Sequence, residues 1–428
     1  MTDTATRASN PLVAEVDAWV EENWSVDLTV REWWQRLVDA GYCYPAWPSS
    51  AGGTGRSWSD ARTIATALAA HRVIGPPLGH MAAGLAAPTI LAHGTPEQIP
   101  ELVRPIATGE AAWCQLFSEP GSGSDLASVG TRAIRDGDEW VVSGQKVWNS
   151  SADKADMAML LARTDLDQPK HRGITYFVID MHQVGVEARP LRVMDGTAPF
   201  CEVFLTEARV RGDHVIGALN EGWRVAQTTL ASERNMVAGG GVKGLYLAAS
   251  GQAGDLDLTC GEVVERGRAT AARRKSPLRG GAVPAMVMLE LASEYGKDGD
   301  ALIRQELARY WSQVKVNGWT MRRSAMAGGQ LTGADGSIAK LSTARICQQS
   351  RDLAYRIAGS ALLLQGAESP MGGDLQRVNL ASPGNRIGGG TDEIQLNVLG
   401  EKALGLPREP DASRDLAYRD LKVGTHPS

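Results

Sequence analysis

The chain has 428 residues, of which 43% are hydrophobic and 22% charged, enough apolar material for a large core shared by two or three domains. Its formal net charge of -5 argues against nucleic acid and anionic membranes as partners. No apolar run is long enough to span a membrane, and the first ten residues match neither a secretory signal nor a transit peptide. We therefore expect a cytoplasmic globular protein.

The cysteines and histidines are spread along the chain without the spacing that metal sites require. The five cysteines form no C-x-x-C pair, and the seven histidines include no H-E-x-x-H motif. No metal site is predicted. Buried free thiols are the better interpretation of the cysteines, which occupy positions 43, 114, 201, 260 and 347.

Helical periodicity begins near residue 11. In the segment VREWWQRLVDAGY, the apolar residues Trp33, Trp34 and Leu37 recur at helical spacing, and such aromatic stripes are more often core than a stacking platform. Thr95 precedes Gln98 by three residues, which is the pattern of a capping box. We predict an N-terminal helical domain over residues 1–112.

Short runs rich in β-branched and aromatic residues follow, among them EWVVSGQKVW, DMAMLLARTD, GITYFVIDM and CEVFLTEARV. This change of pattern predicts a middle β domain over residues 113–214. Helical periodicity returns near Asn220 and persists to about residue 404. It predicts a C-terminal helical bundle over residues 215–406, followed by a polar tail over 407–428. The expected fold class is α+β.

Two polar segments lie at the start and in the middle of the β domain. Ser118–Asp125, with the sequence SEPGSGSD, offers small residues and free backbone N–H groups that let a phosphate or a planar ligand approach closely. The alternative is an ordinary loop whose serines and aspartate satisfy their own N–H groups. Trp148 ends a predicted strand and is followed by Asn149, Ser150 and Ser151. A lone Trp in such a place is usually core.

These segments occur in a fixed order with two others, GWRVAQTTLASER and the late GGTDEIQ. In this order they resemble the acyl-CoA dehydrogenase family over almost the whole chain, from about residue 11 to residue 407. The segments PAWP at 45–48 and GGTG at 52–55 place the resemblance closest to a bacterial branch. The resemblance implies an N-terminal helical domain, a middle β-barrel-like domain and a C-terminal helical bundle, with FAD between the last two.

The cofactor and substrate contacts of the family can be carried over motif by motif. The resemblance implies that Ser124 contacts the CoA portion of an acyl-CoA substrate. It also implies a set of FAD-binding residues in three motifs, namely Gln115, Phe117 and Ser118, then Trp148 and Ser150, and finally Thr391 and Glu393.

The reaction of the family removes a proton from the carbon next to the thioester carbonyl and passes a hydride from the following carbon to flavin N5. Many members place the base, a Glu, just before the Gly-Thr of the late motif, where this chain has Gly389. A second group, which includes isovaleryl-CoA dehydrogenase, takes the base from a Glu-Arg pair on the first C-terminal helix. Glu233 and Arg234 match that pair. The match implies Glu233 as the catalytic base and Arg234 as a substrate-binding residue.

Helical geometry gives Glu233 a notable position independently of the resemblance. At about 100° per residue, Glu233 falls in one narrow arc with Trp223, Ala226, Leu230, Val237, Gly241 and Gly244. An unpaired carboxylate on such an apolar stripe would have a raised pKa, which suits a base acting near neutral pH. The alternative is that Glu233 pairs with an Arg or Lys across the bundle.

Gly389 keeps a backbone N–H, and in the family the N–H at this position helps to polarise the thioester carbonyl. The resemblance therefore gives Gly389 a catalytic role without a side chain. The vacated space could admit the Glu233 carboxylate or a substrate that is branched near the carbonyl. Because the usual Glu is absent at this position, we expect a substrate with a branched or bulky acyl group.

Three functions stay open. The first is an FAD-dependent acyl-CoA dehydrogenase, a homodimer or homotetramer, with an electron-transfer flavoprotein as the acceptor that the resemblance implies. The second is a flavin-poor or catalytically silent subunit of a heterotetramer with a related chain, because the R-x-x-F-G motif of many relatives is not found here. The third is an oxidase or a nitroalkane-type enzyme on the same fold.

Overall fold

The structure is a computed structural model that describes residues 10–421, except 78, 80, 239–243, 274–277, 279–280, 327–332, 365 and 412. Within the described helices, the side chains at 234–238, 271–273, 324–326, 333–334 and 367 lie outside the described part. Helices, a β-sheet and helices again follow one another along the chain.

The described part of the N-terminal region contains five α-helices. They are α1 (Pro11–Asn23), α2 (Val30–Asp39), α3 (Trp58–Ala70), α4 (Ala87–His93) and α5 (Gln98–Ala107). Trp33 and Trp34 on α2 are fully buried, which confirms their prediction as core residues. Their indole N–H groups donate to the carbonyl oxygens of Ile74 and Gly75 at 2.7 and 2.8 Å, so the polar edge of each ring is satisfied inside the core.

The predicted capping box at the start of α5 is confirmed. The Thr95 N–H donates to Gln98 Oε1 at 2.9 Å, and the Gln98 N–H donates to Thr95 Oγ1 at 3.3 Å. The Gln98 side-chain amide also donates to the carbonyl oxygens of Asp213 and Val215. One side chain therefore caps α5 and ties it to the segment that leaves the β-sheet.

Seven strands form one curled sheet, a half-barrel. They are β1 (Trp113–Leu116), β2 (Arg132–Asp136), β3 (Glu139–Ser150), β4 (Met157–Arg163), β5 (Ile174–Asp180), β6 (Val186–Leu191) and β7 (Phe200–Arg211). The order is β1-β4-β2-β3-β7-β6, with β5 paired to β4. The β1–β4 and β2–β4 pairs are parallel, and the other pairs are antiparallel.

β4 lies at the junction of the sheet, because it pairs with β1, β2 and β5. Met159 and Leu161 belong to the core shared with the N-terminal helices, whereas Ala158 and Leu160 belong to the core on the opposite face. A strand buried on both faces requires a nearly continuous apolar run. This burial explains why MAMLLAR shows no polar alternation.

The C-terminal region is again helical. It contains α6 (Gly222–Ala238), α7 (Cys260–Arg273), α8 (Ala285–Glu294), α9 (Ala301–Met326), α10 (Gly333–Ala358), α11 (Asp374–Ala381) and α12 (Asp392–Val398). A third core cluster lies among α8, α9, α10 and α11. α10 also packs against α6 and α12, which brings the two ends of this region together.

Residues 413–421, which we call the strap, return to the sheet from the region predicted as a polar tail. The Tyr418 and Arg419 N–H groups donate to the carbonyl oxygens of Gln168 and Leu166 at 2.9 and 3.1 Å. Tyr418 is only 1% exposed. The sequence pattern did not predict this packing, because a short polar segment with one buried Tyr has no periodicity to detect.

The five cysteines are all free and buried, as the sequence predicts. Within the described ranges, no helix combines the length and apolar character needed to cross a membrane. The same ranges contain no group of three or more His, Cys, Asp or Glu side chains that could hold a metal ion.

Candidate active site

The chain leaves β1 through residues 118–130, which we call the Ser118 turn. Hydrogen bonds to the Glu119 carboxylate hold the two ends of this turn together. The Glu119 carboxylate accepts hydrogen bonds from the Gly130 and Thr131 N–H groups at 2.7 and 2.9 Å. It also accepts one from Lys146 Nζ at 2.8 Å. Burial raises the pKa of the Glu119 carboxyl, but Lys146 and the other donors outweigh that effect and leave the pKa below its usual value.

Lys146 is fully buried on β3 and was missed by the sequence analysis. Besides pairing with Glu119, its ammonium donates to the carbonyl oxygens of Phe117 and Leu161 at 3.0 and 2.8 Å. All three ammonium protons therefore have acceptors, as a buried charge requires. The sequence did hold a signal for this buried charge, because the lysine of the segment GQKVW lies inside a strand with several apolar residues.

The tip of the Ser118 turn is open. Gly123, Ser124 and Asp125 are exposed, and a Cβ at Gly123 would have no atom within 4 Å. Below the tip, Ser122 Oγ donates to the Ser128 carbonyl at 2.8 Å. The Ser118 turn thus fits both interpretations of its sequence. Polar groups in its lower part bond to one another, whereas the small polar residues at its tip are exposed and can contact a ligand.

Trp148 lies on an irregular part of β3. The strand does not end at Trp148, contrary to the prediction; it continues to Ser150 across a register shift between Lys146 and Asn149. At this bulge Trp148 has φ of 65°, a left-handed value that few bulky residues adopt. Trp148 is 56% exposed, and its ring meets the Phe200 ring edge-on at 5.8 Å. Trp148 is therefore not a core residue.

Asn149 connects the end of β3 to β1. Its Nδ2 donates to the Gln115 carbonyl at 2.6 Å, which brings two of the predicted motifs together. Its Oδ1 is buried without a hydrogen-bond partner among the described residues. Gln115 and Ser150 are each half-buried beside this contact.

A line of side chains runs from the sheet to α6. The ring of Phe117 meets the Tyr176 ring edge-on at 5.8 Å, and the Tyr176 hydroxyl lies 3.2 Å from Thr229 Oγ1 on α6. Thr89 Oγ1 on α4 lies 2.8 Å from the same Thr229 hydroxyl. Burial raises the pKa of Tyr176, so its hydroxyl stays protonated near neutral pH.

Glu233 follows Thr229 by one turn of α6 and is half-buried. The buried side of α6 consists of Gly222, Val225, Ala226 and Thr229, which follow the helical spacing i, i+3, i+4 and i+7. Glu233 is the next residue along this side of the helix. The predicted arc is partly wrong, because Trp223 and Leu230 are only half-buried and α6 ends at Ala238, so Gly244 is not helical. Gly241 and the side chains of Arg234 and Val237 lie outside the described part.

Gly389 lies opposite Glu233. A Cβ added to Gly389 would be 3.6 Å from Glu233 Oε1, which is ordinary van der Waals distance. The Glu233 carboxylate therefore lies beside the space that a side chain at 389 would begin to fill. Gly389 has φ of 68°, a left-handed value that favours glycine.

Gln395 holds the turn at residues 388–390, which we call the glycine turn. Its Nε2 donates to the Gly389 carbonyl at 2.7 Å, and its Oε1 accepts from Ser337 Oγ on α10 at 2.6 Å. Gln395 and Ser337 are almost completely buried. A Cβ at Gly390 would lie 2.6 Å from the same Nε2, so this position needs glycine for close approach.

The late motif starts α12. Thr391 is the N-cap, and its Oγ1 accepts from the Ile394 N–H at 3.3 Å. The buried Asp392 carboxylate accepts from Lys340 Nζ at 3.1 Å and from Arg386 Nε at 2.7 Å. Glu393 is exposed. Thr391 thus has a structural role that the sequence analysis did not assign.

The residues around the end of β3 fit a planar ligand with polar edges. Trp148 presents an uncovered aromatic ring, and Asn149 keeps a buried acceptor without a partner among the described residues. The separate Gly123–Ser124 tip offers backbone N–H groups and a hydroxyl, which are ordinary phosphate ligands and suit a second ligand such as CoA. FAD has a planar ring system with polar edges, which fits the residues at the end of β3.

Three family models match the chain. They are the acyl-CoA dehydrogenase N-terminal domain at residues 2–110, the middle domain at residues 114–208 and the C-terminal domain at residues 288–404.

Similar proteins carry the same name. The chain is 38% identical to acyl-CoA dehydrogenase FadE34 of Mycobacterium tuberculosis over 92% of its own length, but it spans only 48% of that relative. It is 35% identical to acyl-CoA dehydrogenase IpdE1 of the same organism, with 89% of this chain and 88% of that protein covered. The chain therefore corresponds to about half of one relative and to most of the other.

Solved structures show the same fold. A protein described as the Tcur3481-Tcur3483 steroid ACAD has a TM-score of 0.67 and 25% identity, with 95% of this chain and 99% of that chain covered. The ChsE4-ChsE5 complex from Mycobacterium tuberculosis has a TM-score of 0.62 and 24% identity, with 96% and 100% covered. The predicted architecture of helices, sheet and helices is confirmed. The chain belongs to the acyl-CoA dehydrogenase family, whose members are FAD-dependent oxidoreductases that act on CH–CH bonds.

Proposed function

We propose that this chain dehydrogenates an acyl-CoA thioester between its α and β carbons, with Glu233 as the base. The observation that carries the proposal is the position of Glu233 Oε1, 3.6 Å from where the side chain of residue 389 would start. Many members of the family have their base at the position of Gly389. Here a carboxylate from α6 reaches the same space.

Each group of the chain has one task in this reaction. The Gly389 N–H polarises the thioester carbonyl, which makes the α proton more acidic. Glu233 takes that α proton, and the C–H electron pair forms the new α,β double bond. The β carbon would give up a hydride to the bound acceptor, which leaves an enoyl thioester and a protonated Glu233.

FAD, when bound, supplies the acceptor for this hydride. Its binding would fall to two groups of residues, which are Gln115, Phe117, Ser118, Trp148 and Ser150 around the sheet, and Thr391 and Glu393 in the late motif. The support is the uncovered Trp148 ring, the buried Asn149 Oδ1 and the cofactor of the family. Because the Thr391 hydroxyl also caps α12, its contact with FAD would use the backbone or the remaining lone pair.

The substrate class is a branched or bulky acyl-CoA, with Ser124 and Arg234 as its proposed contacts outside the reacting carbons. Gly389 keeps the wall of the site without a side chain, which favours substrates that are wide near the carbonyl. A similar solved structure is described as a steroid ACAD, and steroid thioesters belong to this bulky class.

The proposed acceptor of the electrons is an electron-transfer flavoprotein, and the proposed assembly contains a second copy or a related chain. Several apolar residues of the C-terminal region are strongly exposed on the single chain, among them Leu302, Trp319, Leu363 and Leu404. Two similar structures are described by paired names, Tcur3481-Tcur3483 and ChsE4-ChsE5. The second candidate function is therefore a subunit that needs a related chain to complete its flavin site.

An anaerobic titration tests the proposal. The purified chain, expressed alone, is mixed with a panel of straight, branched and steroid acyl-CoA thioesters while the visible flavin absorbance is followed. Bleaching by one thioester with formation of its enoyl product supports dehydrogenation and identifies the acyl class.

Two other results favour the other functions. A colourless protein that gains flavin only with a related chain supports the heteromeric subunit. Rapid reoxidation of the bleached flavin by oxygen, with hydrogen peroxide as the product, supports an oxidase. A flavin that no thioester bleaches, with or without a related chain, contradicts the proposed reaction.

A further inference from the structure

The strap crosses the loop between β4 and β5 and is bonded to it along the backbone. Tyr418 and Arg419 donate to the carbonyl oxygens of Gln168 and Leu166, and Ala417 forms a bridge with Pro169. Arg419 also pairs with Asp167 at 2.5 Å on the exposed side. The backbone contacts alone fix the strap firmly enough to place one buried side chain.

That side chain is Tyr418, which reaches the Ser118 turn. Its hydroxyl donates to the Ser128 carbonyl at 3.1 Å, and this carbonyl also accepts from Ser122 Oγ. The face of its ring lies 3.6 Å from the guanidinium carbon of Arg163. Tyr418 and Arg163 are 1% and 2% exposed, so both the hydrogen bond and the cation–π contact are shielded from water.

Arg163 joins the strap to two loops. Its guanidinium donates to the carbonyl oxygens of Ala127 and Val129 at 2.6 and 3.2 Å, within the Ser118 turn. It also donates to those of Lys170 and Arg172, in the loop that the strap crosses. Burial lowers the pKa of Arg163 to about 10, which still leaves it charged near neutral pH. The carbonyl oxygens satisfy the guanidinium N–H groups, and the face of Tyr418 stabilises the buried charge further.

Lys170 extends this connection to the tip of the turn. Its Nζ lies 3.0 Å from both carboxylate oxygens of Asp125, the residue next to Ser124. Asp125 Oδ2 accepts from Ser128 Oγ at 2.5 Å. The exposed Gly123–Ser124 tip is therefore carried by a backbone that is held at Ser122, Asp125 and Ser128, and the strap contributes to that hold through Tyr418.

We infer that the strap positions the Ser118 turn for the phosphate-bearing part of the substrate, with Tyr418 and Arg163 as positioning residues. This inference rests on the proposed function, because it takes the substrate to be a CoA thioester. The strap then sets the affinity for CoA thioesters and leaves thioesters of small thiols, which lack phosphates, almost unaffected.

Three variants separate this role from general stability. Tyr418→Phe removes the hydrogen bond to Ser128 but keeps the ring over Arg163, whereas Tyr418→Ala removes both. Arg419→Ala is the matched control, since it breaks the exposed pair with Asp167 at the neighbouring strap position. Each purified variant is compared with the parent chain at a temperature well below its unfolding midpoint.

The first readout is the KM for the CoA thioester that bleaches the flavin, compared with its N-acetylcysteamine analogue. One buried hydrogen bond corresponds to about a three- to tenfold change in affinity. We expect Tyr418→Phe to raise the KM of the CoA thioester by about threefold and Tyr418→Ala by about tenfold or more. The KM of the analogue and the value of kcat should change by less than about twofold, as should both constants in Arg419→Ala.

Two readouts do not depend on turnover. Amide hydrogen exchange at residues 122–131 should be faster in Tyr418→Phe than in the parent chain, and calorimetry with free CoA should show a matching loss of affinity. Equal losses on both thioesters, or unchanged exchange in the turn, would overturn the inference. If no thioester bleaches the flavin but CoA binding weakens in Tyr418→Phe, the proposed reaction fails and the role of the strap stands. If the parent chain neither turns over thioesters nor binds CoA, both fail.

Discussion

The Ser118 turn and the glycine turn are held by different kinds of contact. Buried charges hold the Ser118 turn, because Lys146 pairs with Glu119 beneath it and Arg163 lies against it. At the glycine turn a neutral amide, Gln395, holds the carbonyl of Gly389. The cations Lys340 and Arg386 instead pair with Asp392 at the start of α12. Under the proposed function, the end that binds phosphates is fixed by charge, while the end that reacts is fixed by backbone conformation.

This difference has a chemical reason. Gln395 is neutral, so it positions the backbone of the glycine turn without adding a charge of its own to the site. Under the proposed function no proton is transferred at the Ser118 turn, so buried ion pairs can supply rigidity there. The two turns can therefore be perturbed separately, and the expected effects differ in size.

The largest effect on stability is expected from Lys146→Met. This change leaves the Glu119 carboxylate buried without its cation, and breaking a buried ion pair from one side costs about 3–5 kcal/mol. Urea unfolding at neutral pH measures the loss. Lys154→Met, at an exposed position just after the same strand, should change stability by less than about 0.5 kcal/mol. A loss below about 1 kcal/mol in Lys146→Met would mean that the pair does not hold the turn.

A smaller effect is expected from Gly389→Ala. The added Cβ meets Glu233 Oε1 only at an ordinary contact distance, so the cost comes from the left-handed backbone, about 1–2 kcal/mol. Gly384→Ala is the control, because it has no positive φ and no atom within 4 Å of its Cβ. Thermal unfolding of the two variants should show the loss in Gly389→Ala alone, and equal midpoints would refute a conformational role for Gly389.

Thr391→Ala should cost about 1 kcal/mol, the usual value of an N-cap side chain. Thr391→Ser keeps the capping oxygen and should retain most of the stability. Chemical denaturation of both variants gives the comparison. If Thr391→Ser is destabilised as much as Thr391→Ala, the methyl group rather than the cap is responsible.

The smallest effect concerns pH. Burial raises the pKa of Asp392, but the hydrogen bonds from Arg386 and Lys340 outweigh it and leave the pKa below the usual aspartate value. The stability that Asp392 contributes is therefore complete above the usual pKa and is lost as the pH falls through the lowered one. We expect the unfolding free energies of the parent chain and Asp392→Asn to converge on acidification. A constant difference between pH 7 and pH 3 would contradict this linkage.

The parts that the sequence predicted share a local signal. The Thr95–Gln98 capping box and the buried Trp33 and Trp34 follow from spacing within a few residues. The expected fold followed from the family resemblance that the order of the motifs carries. To predict that Glu233 approaches residue 389, we needed both the motif comparison and the helical position of Glu233 on α6.

The parts that the sequence did not predict depend on distant partners. Nothing near Lys146 indicates that Glu119 will lie beside it, and nothing near Tyr418 indicates Arg163. The bulge at Trp148 depends on how β3 registers with β7, which a single strand does not encode. Long-range pairs of this kind arise only when the sheet has formed, so local patterns carry no trace of them.

The rate of flavin reduction in Glu233→Gln tests the central claim most directly. Stopped-flow mixing of the purified, flavin-loaded variant with the thioester that bleaches the parent chain measures that rate, and Glu221→Gln, at the exposed residue just before α6, is the control. If Glu233 is the base, Glu233→Gln should bleach about 10²- to 10⁴-fold more slowly with equal flavin content, and the control should keep the parent rate. A Glu233→Gln rate within about threefold of the parent would contradict the assignment of Glu233 as the base.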